Sequence, residues 1–435
     1  MWWVVCALAL VSAGCSLVVF ATHVPDFFMG DDFELIGDAL AGVSPWEPVA
    51  THLRPVVRLH FQLYRWIPSA AFFGALSVVL HALASGAVFL ALRETHGRLV
   101  AIPSALFFFS CFLANEVVFW SSSSAVLYCT IFSCLALAAF ARGRVVLACL
   151  GLIPAALSYE LWLVVPPLFL FHYRRARELI APFAMAGAYL ALHLFTFGAA
   201  GASSYGGFSF TELPERFAIY AYRLLSPLAG TPSLAASLAL SLLLLTLFAF
   251  RGYRWPATLY LGSALIFSLS SHVSSRFYYF PSLALVVVVS LGVLSARRPA
   301  RVAAAAVAIY LAVASPWING LDGEDYLQKA RLHEQLYEAF AARIDLLGAG
   351  DSAVVVNRLG PEPLEALAAS RVGRPKLIYV RGPAMAGMIY PDDAVRMALW
   401  DRDERPREAP CAGAMIDVGR SGPVRSRYCF QVAPR

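Results

Sequence analysis

Charge is what this chain has least of. Of its 435 residues only 14% are charged, against roughly 25% in a soluble domain. Lysine is nearly absent: Lys329 and Lys376 are the two, and arginine supplies every other basic side chain. With 59% of residues apolar, neither a disordered chain nor an ordinary soluble domain fits. No CxxC or Cys/His spacing of a zinc site occurs, so a structural zinc is not expected. No glycine-rich loop opens a helix, so a nucleotide phosphate cradle is not expected either. No repeat of fixed period is visible, which excludes a solenoid. What is abundant is apolar sequence, with a mean hydropathy of +0.66. The composition is that of a polytopic membrane protein.

The net charge of +6 is uneven. Residues 1–317 hold 18 arginines and 12 acidic residues, whereas residues 318–435 hold 16 of each sign. The positive excess belongs to the apolar part, so nucleic acid is not an expected partner. Eleven apolar runs are long enough to propose as spans: 2–22, 70–92, 99–118, 122–141, 145–158, 161–172, 180–199, 232–250, 256–272, 281–296 and 302–317. The first lacks the basic start and the clean cleavage site of a secretory leader, so an uncleaved helix is expected. The pair 145–158 and 161–172 is short for two crossings, and one bent helix is the alternative. Charge arbitrates. With the N-terminus in the cytoplasm and eleven crossings, the inner loops hold Arg93, Arg98, Arg142, Arg144, Arg174, Arg175, Arg177, Arg251, Arg254, Arg297, Arg298 and Arg301. The longer outer segments before residue 318 hold only Arg54, Arg58, Arg65, Arg216, Arg223 and Arg276. The positive-inside rule favours this arrangement in a cytoplasmic (inner) membrane, with the polar tail outside the cytoplasm.

Two units are therefore expected: 1–317 in the membrane, with a long first outer loop at 23–69, and an extracytoplasmic tail at 318–435. In the tail, 324–347 has helical periodicity, 353–356 and 377–380 read as buried strands, and 363–369 and 394–400 read as helices. This order suggests a small α/β domain. Six of the eight cysteines lie in apolar runs, where Cys packs as a small hydrophobe. Cys411 and Cys429 lie in the tail and would have a compartment that permits a bridge, although spacing alone does not bring them together.

The chemistry-bearing residues cluster on the expected outer side. The loop 23–69 carries Asp31-Asp32 after Gly30 and directly before Phe33-Glu34-Leu35-Ile36, then His52-Leu53-Arg54-Pro55. Asp at a helix start is favoured by the helix dipole, so a capped surface helix is one reading. Adjacent carboxylates also repel, which raises one pKa and suits a general base. Arg54 can snorkel to head groups or hold a phosphate. Three more points follow. Asn115-Glu116 precedes Trp120 and four serines, Glu160 sits in Ser158-Tyr159-Glu160, and Arg276 opens Arg276-Phe277-Tyr278-Tyr279-Phe280-Pro281. Interfacial carboxylates and a head-group anchor beside an aromatic belt are the plainer readings. Ionisable residues at membrane depth are costly and usually serve a function.

In these motifs the chain resembles the GT-C superfamily of integral-membrane glycosyltransferases, nearest its protein O-mannosyltransferase and TMTC-like branch. The resemblance rests on Asp31-Asp32, Arg54-Pro55, Glu116, Glu160, and Arg276 with Tyr279 and Pro281, and covers roughly residues 1–317. Family members often have Lys-Glu where this chain has Tyr159-Glu160, and the tetratricopeptide repeats of eukaryotic members are absent. The resemblance implies transfer of a sugar from a polyprenyl-phosphate carrier to an acceptor protein or glycan on the outer face. It implies Asp31 or Asp32 as the base and Arg276, with Arg54 and Tyr279, at the carrier phosphate. Glu116, Glu160 and His52 would bind substrate. Some GT-C enzymes use a divalent metal; no ligand spacing here supports one, and no cofactor is expected.

Other functions compete. A transporter or flippase of a lipid-linked sugar would want charges at mid-bilayer and inverted repeats, neither of which is visible. His81 and His193 are the main polar exceptions and read as helix-packing residues. A polysaccharide polymerase or ligase would share the carrier phosphate but usually has an arginine-rich late outer loop. Here the loop 200–231 has only Arg216 and Arg223. A scaffold protein with the tail as its binding module is the remaining reading.

Overall fold

A computed structural model describes residues 1–29, 32–47, 54–197, 215, 251–268, 275–344, 352–356, 376–380 and 432–433. The described residues are mainly helical. In order they form α1 (Trp2–Thr22), α2 (Asp32–Ala41), α3 (Pro55–Gln62), α4 (Ala70–His96), α5 (Arg98–Ser110), α6 (Asn115–Phe119), α7 (Ser124–Ala141), α8 (Val145–Ala156), α9 (Val165–Phe169), α10 (Ile180–Phe197), α11 (Arg254–Ser268), α12 (Ser282–Leu294) and α13 (Arg298–Ile344). Among them, four stretches are long and apolar enough to cross a membrane: Trp2–Thr22, Ala70–His96, Ser121–Ala141 and Arg298–Arg331. A fifth is broken, Arg98–Ser110 meeting Phe112–Phe119 at 55°. The chain is an integral membrane protein. The expected run 232–250 lies outside the described residues, as do the tail helices expected at 363–369 and 394–400 and the cysteines Cys411 and Cys429.

The chain forms two compact units. The first comprises Met1–Val24, Ser44–His60 and Phe72–Asp325, and the second Pro25–Val43, Phe61–Ala71 and Tyr326–Arg435. The first outer loop is thus shared out between them. The boundary expected at residue 317 falls inside α13, a single helix of 47 residues. Pro316, Gly320 and Gly323 weaken the local helix preference there, and Asn319, bonded to Ser16 Oγ (3.0 Å) and the Ser110 carbonyl (2.9 Å), ties the helix to its neighbours. Pro316 lies within it, where a kink without a break is tolerated.

Contacts sort the first unit into two ends. At one end the Trp2 indole donates to the Leu99 carbonyl (2.8 Å), Arg142 pairs with Glu94 (2.8 Å), and the ring of His96 meets that of Trp255 (5.1 Å between centroids). Gly97 and Gly143 make tight turns there with φ of +83° and +78°, a backbone shape glycine adopts without steric cost. At the other end Val56 N–H donates to the Leu157 carbonyl (3.3 Å), His23 lies 3.4 Å from Glu324, and Phe267 stacks on Phe277 (4.3 Å). The long helices therefore alternate in direction. Residues 145–173 run out and back: Leu157 is at the second end, while Gly143 and Arg174 approach at the first (3.4 Å from a Cβ built on Gly143). Val145–Ala156 and Glu160–Phe169 are nevertheless short apolar helices. Small residues let neighbours close up, as where a Cβ on Gly292 would come within 2.7 Å of Ala304. Arginines expected on the inner side, including Arg93, Arg142 and Arg174, share the first end; Arg54, Glu116, Glu160 and Arg276 share the second.

In the second unit, α2 is entered through Met29 and Asp32, and the ring of Phe28 packs edge-on against Tyr64 (5.6 Å). Three strands form a sheet in the order β2 (Lys376–Val380), β1 (Ser352–Val356), β3 (Val432–Ala433). β1 and β2 are parallel, in register from Ser352 against Lys376 to Val356 against Val380. After Ser352 and Lys376 each strand is an apolar run, the sequence pattern common in parallel strands.

Candidate active site

The site end of the first unit is built where helices stop. α5 ends at Ser110, Cys111 turns extended, and a 3-10 turn at Phe112–Ala114 leads into the five-residue α6. That irregular stretch presents Asn115 and Glu116, both nearly buried at 2% and 6% exposure. A second turn, Ser275–Tyr278, precedes α12 and carries Arg276. The two meet. The Arg276 backbone N–H donates to Glu116 Oε2 (3.0 Å), and Arg276 Nε lies 3.6 Å from Glu116 Oε1. The guanidinium also sits 5.3 Å from the centre of the Trp120 ring, a cation–π arrangement that adds to the Glu116 pairing.

A second pair repeats the pattern. Tyr159 is extended and Glu160 opens a 3-10 turn through Val164. Arg54 Nη2 donates to both Glu160 oxygens (2.9 and 3.2 Å), and its guanidinium lies 4.4 Å above the Tyr159 ring. Cys129 of α7 bonds the Tyr159 carbonyl (3.4 Å), and Tyr159 also packs near Phe267 (6.4 Å), which stacks on Phe277. Both pairs therefore belong to one end of one compact unit. Four residues singled out separately in the sequence form two arginine–carboxylate pairs, each arginine on an aromatic face.

The other candidates fare differently. Asp31 and His52 lie outside the described residues, and of the Glu34 side chain nothing is described. Asp32 opens α2, is 1% exposed, and its Oδ2 accepts the Met29 backbone N–H (3.1 Å); the capping role is present at this residue. Tyr279, expected at the carrier phosphate, is buried with its hydroxyl 2.7 Å from His81 Nδ1. It reaches Arg276 through the backbone, as Tyr279 N–H donates to the Arg276 carbonyl (3.3 Å). A residue buried by its aromatic ring commits its polar tip inward, and the motif spacing alone does not reveal this.

Sequence reasoning missed two features. Asn115 Nδ2 donates to Asp322 Oδ2 (2.6 Å), joining α13 to the Glu116 stretch. The signal was present in the acidic run Asp322, Glu324, Asp325, which read as the start of a polar tail. His60 of α3 is also buried, its Nδ1 3.1 Å from the Tyr128 hydroxyl and its ring edge-on to Phe73 (5.1 Å). Burial lowers its pKa from 6.5 to about 4, so it is neutral at physiological pH. Burial likewise raises the Tyr64 phenol above its ordinary value. Among the described residues no group of three His, Cys, Asp or Glu side chains is arranged to hold a metal ion.

Chemically, the site end offers what an anionic substrate needs: guanidinium groups in partly desolvated surroundings, where charge-assisted hydrogen bonds are strongest. No family model matches the chain. No curated protein matches it either. Solved structures similar to the chain include two of one protein. One is ArnT from Cupriavidus metallidurans in the apo state, 12% identical, with 98% of each chain covered and a TM-score of 0.49. The other is ArnT from the same organism bound to undecaprenyl phosphate, 12% identical, with 87% of each chain covered and a TM-score of 0.48.

Proposed function

We propose that this chain is a membrane glycosyltransferase of the GT-C type. It takes a sugar from a polyprenyl-phosphate carrier and transfers it to a hydroxyl of a protein or glycan acceptor at the extracytoplasmic face. The observation that carries this reading is the pairing of Arg276 with Glu116 and of Arg54 with Glu160 at one end of the helical unit, away from the turns that hold Arg93, Arg142 and Arg174. Membrane anchoring needs neither the carboxylate partners nor their burial. A lipid phosphate entering beside a guanidinium finds planar, paired donors that match its oxygens. We make the proposal at the level of the superfamily. Both similar structures bear the name ArnT rather than that of a protein O-mannosyltransferase.

In this reading Arg276 holds the carrier phosphate and Arg54 assists. The acceptor hydroxyl gives its proton to an aspartate, its oxygen bonds to the anomeric carbon, and the bond from that carbon to the phosphate oxygen breaks. The electron pair leaves with the polyprenyl phosphate, whose growing charge Arg276 stabilises. Asp31 takes the base role, because one Asp32 oxygen is committed to the Met29 N–H; Asp32 then shapes the loop. Glu116, Glu160 and His52 contribute to sugar and acceptor binding. The N-terminus is cytoplasmic, the membrane is the inner one, and the polar tail beyond the apolar part of α13 is extracytoplasmic.

The test uses the purified full chain in lipid with radiolabelled polyprenyl-phosphate sugars and a crude membrane acceptor fraction. Transfer by wild type that vanishes in Asp31→Asn/Asp32→Asn is the expected result. Equal turnover in both would move the chemistry off this loop. Donor movement across the bilayer without transfer would replace the reading with a transporter.

A further inference from the structure

The two sides of the Glu116–Arg276 contact come from different parts of the chain, and one buried side chain touches the support of each. His81, in the middle of α4, is 0% exposed. Its Nε2 lies 2.8 Å from the Phe109 carbonyl, and its Nδ1 lies 2.7 Å from the Tyr279 hydroxyl. A carbonyl only accepts, so Nε2 carries the proton and donates. Nδ1 is then the acceptor, and the Tyr279 O–H donates to it. One neutral tautomer satisfies all three groups; in the opposite tautomer Nδ1–H can still donate to the Tyr279 oxygen, but the bond to the Phe109 carbonyl is lost.

Both contacts fall where backbone order would otherwise lapse. Phe109 is in the last turn of α5, which stops at Ser110; carbonyls in a last turn lack an intrahelical partner. The chain then bends by 55° and reaches Glu116 within two short turns. Tyr279 follows Arg276 in the turn before α12, and the two share a backbone hydrogen bond (3.3 Å). The His81 ring also stacks on Phe109 (4.8 Å between centroids, 17° between planes), and Tyr279 packs against Phe108 (4.9 Å). His81 thus fastens the break that carries Glu116 to the turn that carries Arg276.

We propose that His81 is a positioning residue for the carrier-phosphate site: through Phe109 and Tyr279 it sets the placement of Arg276 against Glu116. The role assigned to the site rests on the transferase reading; the clamp itself does not. Neither His81 nor Tyr279 touches substrate. Tyr279 is thereby removed from the phosphate shell and given a different task. A guanidinium displaced by about 1 Å can lower the efficiency of a reaction by about a hundredfold, so a clamp of this kind would be felt at the donor rather than the acceptor.

The test uses the full chain in lipid nanodiscs and two readouts. The variants are His81→Phe, which keeps the ring and removes both hydrogen bonds; Tyr279→Phe, which removes one; and the double variant. Hydrogen exchange of the peptide spanning 275–281 reports the turn without any need for activity, with 282–294 as the internal control for folding. Expected are faster exchange at 275–281 in His81→Phe, unchanged exchange at 282–294, and a KM for the polyprenyl-phosphate sugar raised about tenfold or more at an unchanged acceptor KM. The double variant should be no worse than His81→Phe, as for residues that act as a unit. Exchange at 275–281 equal to wild type would overturn the clamp. Faster exchange with an unchanged donor KM would overturn the positioning role. If wild type transfers no sugar at all, the transferase reading and the site role fall together, and the exchange at 275–281 still decides the clamp.

Discussion

The Arg54–Glu160 pair permits a quantitative test of how much the site end depends on its internal charges. Its side chains are 16% and 20% exposed, between a surface pair, worth about 0–1 kcal/mol, and a buried pair, whose disruption from one side costs about 3–5 kcal/mol. Arg54→Ala removes two charge-assisted hydrogen bonds from one nitrogen and the stacking on Tyr159. It leaves the Glu160 carboxylate without its guanidinium, so a loss of about 2–4 kcal/mol is expected. Glu160→Ala should cost about 2–3 kcal/mol, since the arginine keeps its aromatic face. The double variant leaves no charge behind and should cost less than the sum, giving a coupling of about 2 kcal/mol. Reversible unfolding of the four proteins in bicelles, driven by steric trapping, measures each quantity under one condition. Additivity within about 0.5 kcal/mol would refute the reasoning. It would mean that water screens the pair despite its burial, and that Arg54 is a head-group anchor.

Three further outcomes follow from the same geometry. Arg276→Ala should raise the donor KM by about ten- to a hundredfold through loss of a charge-assisted contact, and Arg276→Lys should not fully restore it, because an ammonium lacks the planar fork of parallel donors that matches two phosphate oxygens; steady-state kinetics with a purified donor checks both. Asp32→Ala should destabilise by about 1 kcal/mol while Asp32→Asn, which keeps an acceptor for Met29 N–H, should cost a few tenths; thermal unfolding followed by size exclusion separates them. His60 binds its proton later in the folded state than in the unfolded one, so stability is full above pH 6.5 and falls as pH drops towards 4; the loss approaches about 3 kcal/mol, and His60→Phe should flatten the slope of unfolding free energy over that window.

Sequence conveyed the ends of the helices better than their neighbours. Charge asymmetry put Arg54, Glu116, Glu160 and Arg276 on one side because desolvation makes misplaced charge expensive. It could not pair them, since Arg54 and Glu160 are 106 positions apart and Arg276 and Glu116 160. The same limit hid Asp322 beside Asn115. His81 read as a packing residue because a ring on an apolar helix looks the same whether its nitrogens are used or idle; only the Phe109 carbonyl and the Tyr279 hydroxyl distinguish the cases. The unbroken α13 was missed for a different reason. Hydropathy and helix propensity both fall near residue 318, at Pro316, Gly320 and Gly323, and the helix continues because tertiary contacts such as Asn319 Nδ2 to the Ser110 carbonyl (2.9 Å) override local preference.

The shortness of α8 fixes a depth. Its twelve residues rise about 18 Å, whereas a bilayer's hydrocarbon is about 30 Å thick. If Arg144 lies at one boundary of that layer, α8 stops roughly 12 Å short of the other, and Glu160, with Arg54, follows its end within a few residues. The membrane must dimple there, or water must fill a well above the pair. In the proposed function a phosphate would meet Arg54 below the plane of the surrounding head groups, and acyl-chain length would become a variable of the reaction: thicker bilayers deepen the well, and thinner ones bring its floor to the surface.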